Sequence, residues 1–260
     1  MKRIFALMLA LLLAASLVAC SDKEDDDKSA VDLTVTSSEM VYEAGGDYND
    51  AFYYEYINGD EVAIVGYSGS HVPHDVVLPA TIDNRPVTEI SARAFNSKTN
   101  VTAVTVPEGV LVIGDMAFNE CTSLKSITLP ATVVTVGDAA FSGCIQLATV
   151  TFPAATTEIG KYAFYNCKSL TAVAMPSVTV IPEQAFMKCD RLKSVTWSAA
   201  GTEIGDSAFM SCPVLDTISF PTTLTTVGAY AFADCAKLTA PTLAETVTVG
   251  ANAFYVTPAN

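Results

Sequence analysis

Positive charge is scarce in this chain: 14 Lys and Arg residues stand against 28 Asp and Glu, for a net charge of −14. A chain this acidic repels phosphate backbones and anionic headgroups, which excludes nucleic acid as a natural partner. Residue types that carry catalysis or bind metal are equally thin. The 260 residues hold one Trp and two His, His71 and His74. The two His are three apart and followed by Asp75, but they lack a third fixed ligand, so the polar stretch Gly66 to Asp75 reads as a solvated loop and no metal is expected. No Cys-x-x-Cys pair exists, nor a phosphate-cradling Gly loop, a zincin helix or a paired-carboxylate signature. Gly66-Tyr67-Ser68-Gly69-Ser70 lacks the nucleophile-elbow pattern and its strand-to-helix context. Together these absences argue against an enzyme, and no cofactor is expected.

Long apolar runs are missing too, except at the N-terminus. Lys2 and Arg3 precede an apolar run from Ile4 to Leu13 and then small residues up to Cys20, the plan of a secretory signal over residues 1–19. The run is shorter than the roughly 20 residues of a membrane span, so a cleaved leader is expected. Leu17-Val18-Ala19-Cys20 resembles the lipobox of bacterial lipoproteins. That resemblance implies cleavage before Cys20, acylation of the Cys, and a membrane anchor worth about 0.8 kcal/mol per buried methylene. Loss of Lys2 and Arg3 would leave 12 basic residues against 28 acidic ones, a net charge of −16. The charged, apolar-free segment Ser21-Asp22-Lys23-Glu24-Asp25-Asp26-Asp27-Lys28 cannot bury surface and reads as a disordered tether. Its acidic run also resembles the surface-export signal of some anaerobes' lipoproteins, implying an outer-membrane lipoprotein exposed at the cell surface. A spacer facing the periplasm is the alternative.

What the sequence has in abundance is repetition. Ala-Phe recurs with Phe95, Phe118, Phe141, Phe164, Phe186, Phe209, Phe232 and Phe254, at intervals of 22 or 23 residues. Five residues before each Phe stands Ile or Val, followed in six copies by Gly, with Ser91 and Pro182 as exceptions. Gly there predicts a tight turn, through positive φ and close backbone approach. Three residues after the Phe stands Cys, at Cys121, Cys144, Cys167, Cys189, Cys212 and Cys235, with Lys98 in its place in the first copy. Then comes Leu-x-x-Val/Ile-x-Leu/Phe-Pro, for example Leu124, Ile127, Leu129 and Pro130. Leu-x-x-Leu-x-Leu within such a period is the leucine-rich-repeat signature. Its alternating end predicts one short parallel strand per coil, stopped by the Pro. Each coil buries its apolar set only against its neighbours, so stability must be cooperative along the stack. Six Cys at one phase read as reduced core thiols, since free Cys packs as a small buried group, although neighbouring thiols could come within bridging distance.

Ile-Gly-x-x-Ala-Phe-x-x-Cys-x-x-Leu-x-x-Ile-x-Leu-Pro, as in Ile113 to Pro130, resembles the BspA-like leucine-rich repeats of bacterial surface proteins. The resemblance covers residues 87–260. It implies a repeat solenoid, a right-handed coil with short turns or 3-10 segments on its convex side, and a role in adhesion or binding. Residues 52–86 read as an N-terminal β cap: Phe52 to Ile57 and Val62 to Tyr67 flank Asn58-Gly59-Asp60, whose Asn-Gly step is a hairpin signal, and Val76-Val77-Leu78-Pro79 looks like a degenerate repeat strand. An insertion around Asp83 to Arg85 lengthens the path to Ile90. Residues 20–51 are assigned as lipidated Cys and linker, with 29–51 left undecided.

Two surfaces are candidates for binding. Outward strand positions Ser126, Thr128, Thr149, Thr151, Ala172, Ala174, Ser194, Thr196, Thr217 and Ser219 form a flat ladder of small residues, suited to a flat polar partner such as a glycan. The plainer reading is the strand preference of Thr on a solvated sheet. Tyr162, Tyr165, Tyr230 and Tyr255 are expected on the convex turns, where Tyr can anchor a partner. The expected function is a tethered binding or adhesion module for a protein or glycan ligand. The alternatives are an accessory subunit of an outer-membrane complex and, third, a hydrolase.

Overall fold

The computed structural model describes residues 42–44, 50–68 and 74–256. The leader, Cys20, the charged segment 21–28 and His71 lie outside the described residues. No helix occurs among the described residues; the fold is a parallel β-solenoid of about eight turns, each carrying one copy of the repeat.

Six of the eight coils contribute two strands where the repeat pattern predicted one, and the seventh and eighth carry only the short one. The expected strand is present: Val101–Thr105, Ser126–Thr128, Thr149–Thr151, Ala172–Met175, Ser194–Trp197 and Thr217–Ile218 stack in parallel on His74–Val77 as a seven-stranded sheet. Register follows phase. Val150 pairs with Val173 and Val173 with Val195, so equivalent residues lie over one another. The second strand is two residues long and ends on the Ile or Val before the Gly: Val112–Ile113, Thr135–Val136 and Glu158–Ile159, then Val180–Ile181, Glu203–Ile204, Thr226–Val227 and Thr248–Val249. Two residues carry no readable alternation, which is why this strand was not predicted.

The second set of strands is not continuous. The first three extend a sheet that begins at Tyr42–Ala44, while the last four form a separate sheet. The break falls at Pro182. At this phase an N–H donates to the preceding coil, as in Gly160 to the Val136 carbonyl and Gly205 to the Ile181 carbonyl, both at 2.7 Å. Proline has no N–H to donate. The same junction spans one of the shorter, 22-residue intervals, from Phe164 to Phe186.

Of the two reasons expected for the repeated Gly, positive φ is not used and close backbone approach is. Gly114, Gly137, Gly160, Gly205, Gly228 and Gly250 all have ordinary φ, and among the described residues the Gly in the left-handed region are Gly59, Gly109 and Gly143. What these six need is proximity. A Cβ on Gly205 would lie 2.6 Å from the backbone N of Glu183, and one on Gly114 would lie 2.6 Å from that of Ala92. Left-handed backbone falls instead two residues either side of the core Phe, on residues that are mostly not Gly: Met116 and Glu120, Tyr162 and Asn166, Gln184 and Lys188. The turn imposes that conformation because it points alternate amides the same way. The N–H groups of Tyr162, Phe164 and Asn166 donate to the carbonyls of Glu183, Ala185 and Met187 in the next coil. Intervening amides close four-residue turns, as Tyr165 does onto the Tyr162 carbonyl. A third ladder thus joins the coils along the convex side, and it offsets the roughly 1–2 kcal/mol that left-handed backbone costs an L-residue.

Inside, the Phe rings form a column. Consecutive centroids from Phe95 to Phe254 are 4.9 to 5.3 Å apart, with planes within 20° of parallel. Seven of these Phe residues are fully buried, and Phe254 in the last coil is half-buried. Tyr67 extends the column at the other end, stacked 4.9 Å from Phe95. All six Cys are buried and unpaired, and each thiol donates to the carbonyl of the Phe one coil back, as Cys167 does to Phe141 at 3.1 Å. Cys is therefore a cross-coil donor as well as a small packing group. Trp197 is buried, donates to the Val178 carbonyl at 2.9 Å, and packs against Gly201, where a Cβ would collide with its indole.

At the N-terminal end Asp50–Ile57 and Glu61–Tyr67 form the antiparallel hairpin that Asn58-Gly59 signals, both turn residues having positive φ. Tyr42–Ala44 adds a further antiparallel strand within the stretch left undecided from sequence. Asp83 and Asn84, both left-handed, close a small hairpin between Thr81–Ile82 and Arg85–Ile90, at the insertion. His74 is not in a solvated loop. It opens a strand, is buried, and lies 2.6 Å through Nε2 from the Tyr67 hydroxyl. His74 is buried here because strand pairing and Tyr67 satisfy the groups it carries.

Candidate binding surface

The surfaces follow from the phase of each residue in its coil. On the longer sheet the burial pattern alternates exposed-buried-exposed, so Ser126, Thr128, Thr149, Thr151, Ala172, Ala174, Thr196, Thr217 and Ser219 face solvent while Ile127, Val150, Val173 and Val195 point inward. Ser194 is half-buried. This face is flat and nearly uncharged. Lys193 and Asp216 at its margin approach to 3.9 Å, a separation that contributes little between exposed groups.

The Tyr residues named from sequence are not brought together. Tyr162 and Tyr165 meet edge to face with centroids 6.4 Å apart, both half-buried. Tyr230 and Tyr255 are 42% and 49% exposed and belong to the seventh and eighth coils. All four are on the convex turns, with Tyr162 and Tyr230 at left-handed positions. The Thr ladder lies on the longer sheet, outside those turns.

Around Tyr162 and Tyr165 a side-chain network crosses from the fourth coil to the fifth. Lys161 Nζ donates to Glu183 at 3.1 Å, the Gln184 amide donates to the Tyr162 hydroxyl at 3.3 Å, and Lys188 Nζ donates to the Tyr165 hydroxyl at 3.1 Å. Lys188 also stands 5.4 Å above the Tyr165 ring. Hydrogen bonding to Glu183 raises the Lys161 pKa, and the same bond lowers that of Glu183. Sequence reasoning missed Lys161, Glu183, Gln184 and Lys188. Their signal was the repeat itself: Glu183 is 22 residues after Lys161, the interval of these two coils, and Lys188 stands one position past the residue that stacks on Tyr165.

Burial pushes the thiols up, Cys121 to about 12, so they remain protonated and unreactive at neutral pH. Among the described residues no three His, Cys, Asp or Glu side chains gather as a metal site, and no helix is long and apolar enough to cross a membrane.

A parallel solenoid of stacked 22- to 23-residue coils, with its Phe and Cys columns enclosed, defines a leucine-rich-repeat protein. The chain belongs to the BspA-type leucine-rich-repeat family, whose repeat region matches in six copies over residues 88–196 and 157–259. It is 32% identical to the leucine-rich-repeat protein of T. pallidum, over 72% of this chain and 88% of that one, with a TM-score of 0.67. A leucine-rich-repeat protein from Bacteroides ovatus is 26% identical with a TM-score of 0.58, covering 80% of this chain but only 61% of that one. The pneumococcal vaccine antigen PcpA, 16% identical with a TM-score of 0.57 over 80% of this chain and 71% of that one, shares the fold alone. No curated protein matches the chain.

Proposed function

We propose that this protein is a cell-surface lipoprotein that acts as a binding or adhesion module and performs no catalysis. The observation that carries this reading is the combination of a closed, inert interior with a long, regular outer surface. A solenoid places side chains at fixed spacing over many coils, which suits recognition of extended partners. The ligand is a host protein, a glycan or another envelope component. Cys20, acylated, tethers the fold to the outer membrane, and the acidic stretch after it spaces the solenoid from the bilayer. The relatives with solved structures include a vaccine antigen, which is in keeping with a surface role.

The test uses the full-length protein in mild detergent. A glycan array and a pull-down from host and envelope extracts should each be compared with the same protein unfolded. Specific capture by the folded form supports the module; blank results in both remove it. Metabolic labelling with a fatty acid, lost in Cys20→Ala, and protease shaving of intact cells test the anchor and its exposure.

A further inference from the structure

Cations are unevenly distributed over the solenoid. Residues 161–193 hold Lys161, Lys168, Lys188, Arg191 and Lys193 against Glu183 and Asp190, five positive groups to two negative, a local net of +3 in a chain of −14. Two of the five are paired with carboxylates, Lys161 with Glu183 and Lys193 more loosely with Asp216. Lys168, Lys188 and Arg191 have no carboxylate partner among the described residues, and all three are exposed. Lys188 already donates to the Tyr165 hydroxyl. Lys168 stands three residues after Tyr165, and Arg191 three after Lys188 in the coil stacked above. Lys188 on Tyr165, with Lys168 and Arg191 each three residues further along its own coil and Asp190 between Lys188 and Arg191, makes a net cationic rim on the fourth and fifth coils.

We propose that this rim binds a polyanionic polysaccharide, one bearing sulfate or uronate groups. The proposal rests on the binding-module reading and names its ligand class. Charge complementarity selects an anion, because this rim is net positive in a chain of net charge −14. The shape favours a polysaccharide over a peptide. Peptides dock by adding to an open strand edge or by filling a groove. Here the convex turns point their amides along the stack into the next coil, so the rim itself offers no open strand edge. Lys and Arg donors with Tyr hydroxyls on an exposed rim suit a hydrated chain whose charges lie on its outside.

Full-length protein in mild detergent is passed over immobilised heparin, polygalacturonate and neutral dextran at low and raised salt. Wild type should be retained by heparin, polygalacturonate or both, released by salt as exposed ionic contacts are, and pass through dextran. The triple variant Lys168→Glu/Lys188→Glu/Arg191→Glu should bind about tenfold or more weakly. Lys125→Glu/Lys237→Glu, which removes cations from other coils, should bind as wild type does. Circular dichroism and a thermal melt confirm that both variants fold. Equal binding by the triple variant, equal loss in the control, or no retention of wild type on either polymer overturns the assignment. Wild type that ignores both polyanions yet captures a partner in the array or pull-down leaves the module standing and removes only this rim; blank results in all of them remove both.

Discussion

At the junction between the coils of Phe164 and Phe186 one part of the solenoid is cut and another is not. The short-strand sheet stops, because Pro182 has no N–H to give the Ile159 carbonyl. The ring column continues through the same junction at 5.3 Å and 6°, indistinguishable from the next step, from Phe186 to Phe209, at 5.3 Å and 5°. A lost ladder hydrogen bond is worth about 0.5–1.5 kcal/mol net. A core Phe is worth about 3–5 kcal/mol against Ala. The coils are therefore held in register chiefly by the enclosed column, with the convex ladder and the longer sheet in support, and the short-strand sheet is dispensable at one step. The network of Lys161, Glu183, Tyr162, Gln184, Tyr165 and Lys188 bridges that same step.

If the column dominates, placing charge in it should have the largest effect. The unfolded chain's thiols ionise above their ordinary value of 9.0, whereas burial holds the folded ones protonated, Cys121 until about 12. A pKa raised by folding contributes stability that is complete below pH 9 and is lost as pH rises towards the folded value. Each buried thiol then costs about 1.4 kcal/mol per pH unit, and the six free ones together cost on the order of 8 kcal/mol at pH 10. That is comparable with the whole stability of an ordinary domain. Denaturant midpoints between pH 7.5 and pH 10 should fall steeply, and less steeply in Cys144→Ala/Cys167→Ala/Cys189→Ala. A midpoint unchanged to pH 10 would mean that the thiols are not enclosed.

Phe164→Ala comes next, at about 3–5 kcal/mol, since it opens a cavity in mid-column flanked by the rings of Phe141 and Phe186. A loss under 1 kcal/mol by chemical denaturation would show that the column does not carry the stack. Gly205→Ala should cost less, about 1–3 kcal/mol, because the new Cβ meets the backbone of the previous coil and the coils must part to admit it. Backbone conformation is not the cause, as Gly205 has ordinary φ. A melting temperature at or above that of wild type would refute close approach as the reason for Gly.

These contrasts mark where the sequence could be read and where it could not. Phe, Cys and Leu at constant phase gave the column, because a residue that must stack on its own image recurs at the period. The repeated Gly was read for both positive φ and close approach, because one letter serves both, and only the second holds. The left-handed positions were invisible for the opposite reason: Met116, Tyr162, Gln184 and Tyr230 carry no signature, the conformation being imposed by hydrogen bonds to the next coil. Pro182 was visible as an exception, but its consequence depends on knowing that this N–H leaves the coil. For the candidate site, the Tyr residues were legible one at a time. Their partners Glu183 and Lys188 were not, since contact across coils shows only when the chain is folded at its own repeat length.

Thr151→Ala should have the smallest effect, under 1 kcal/mol. Thr151 is exposed on the longer sheet, its hydroxyl bonds to nothing among the described residues, and its register neighbour in the next coil is Ala174. The stack thus already tolerates Ala at this phase, and what Thr adds is modest strand preference. The substitution also separates two roles for that face. If Thr151→Ala lowers ligand capture while its denaturant midpoint matches that of wild type, the Thr ladder is a recognition surface. If both are unchanged, the face serves only to pair strands, and recognition belongs to the convex rim.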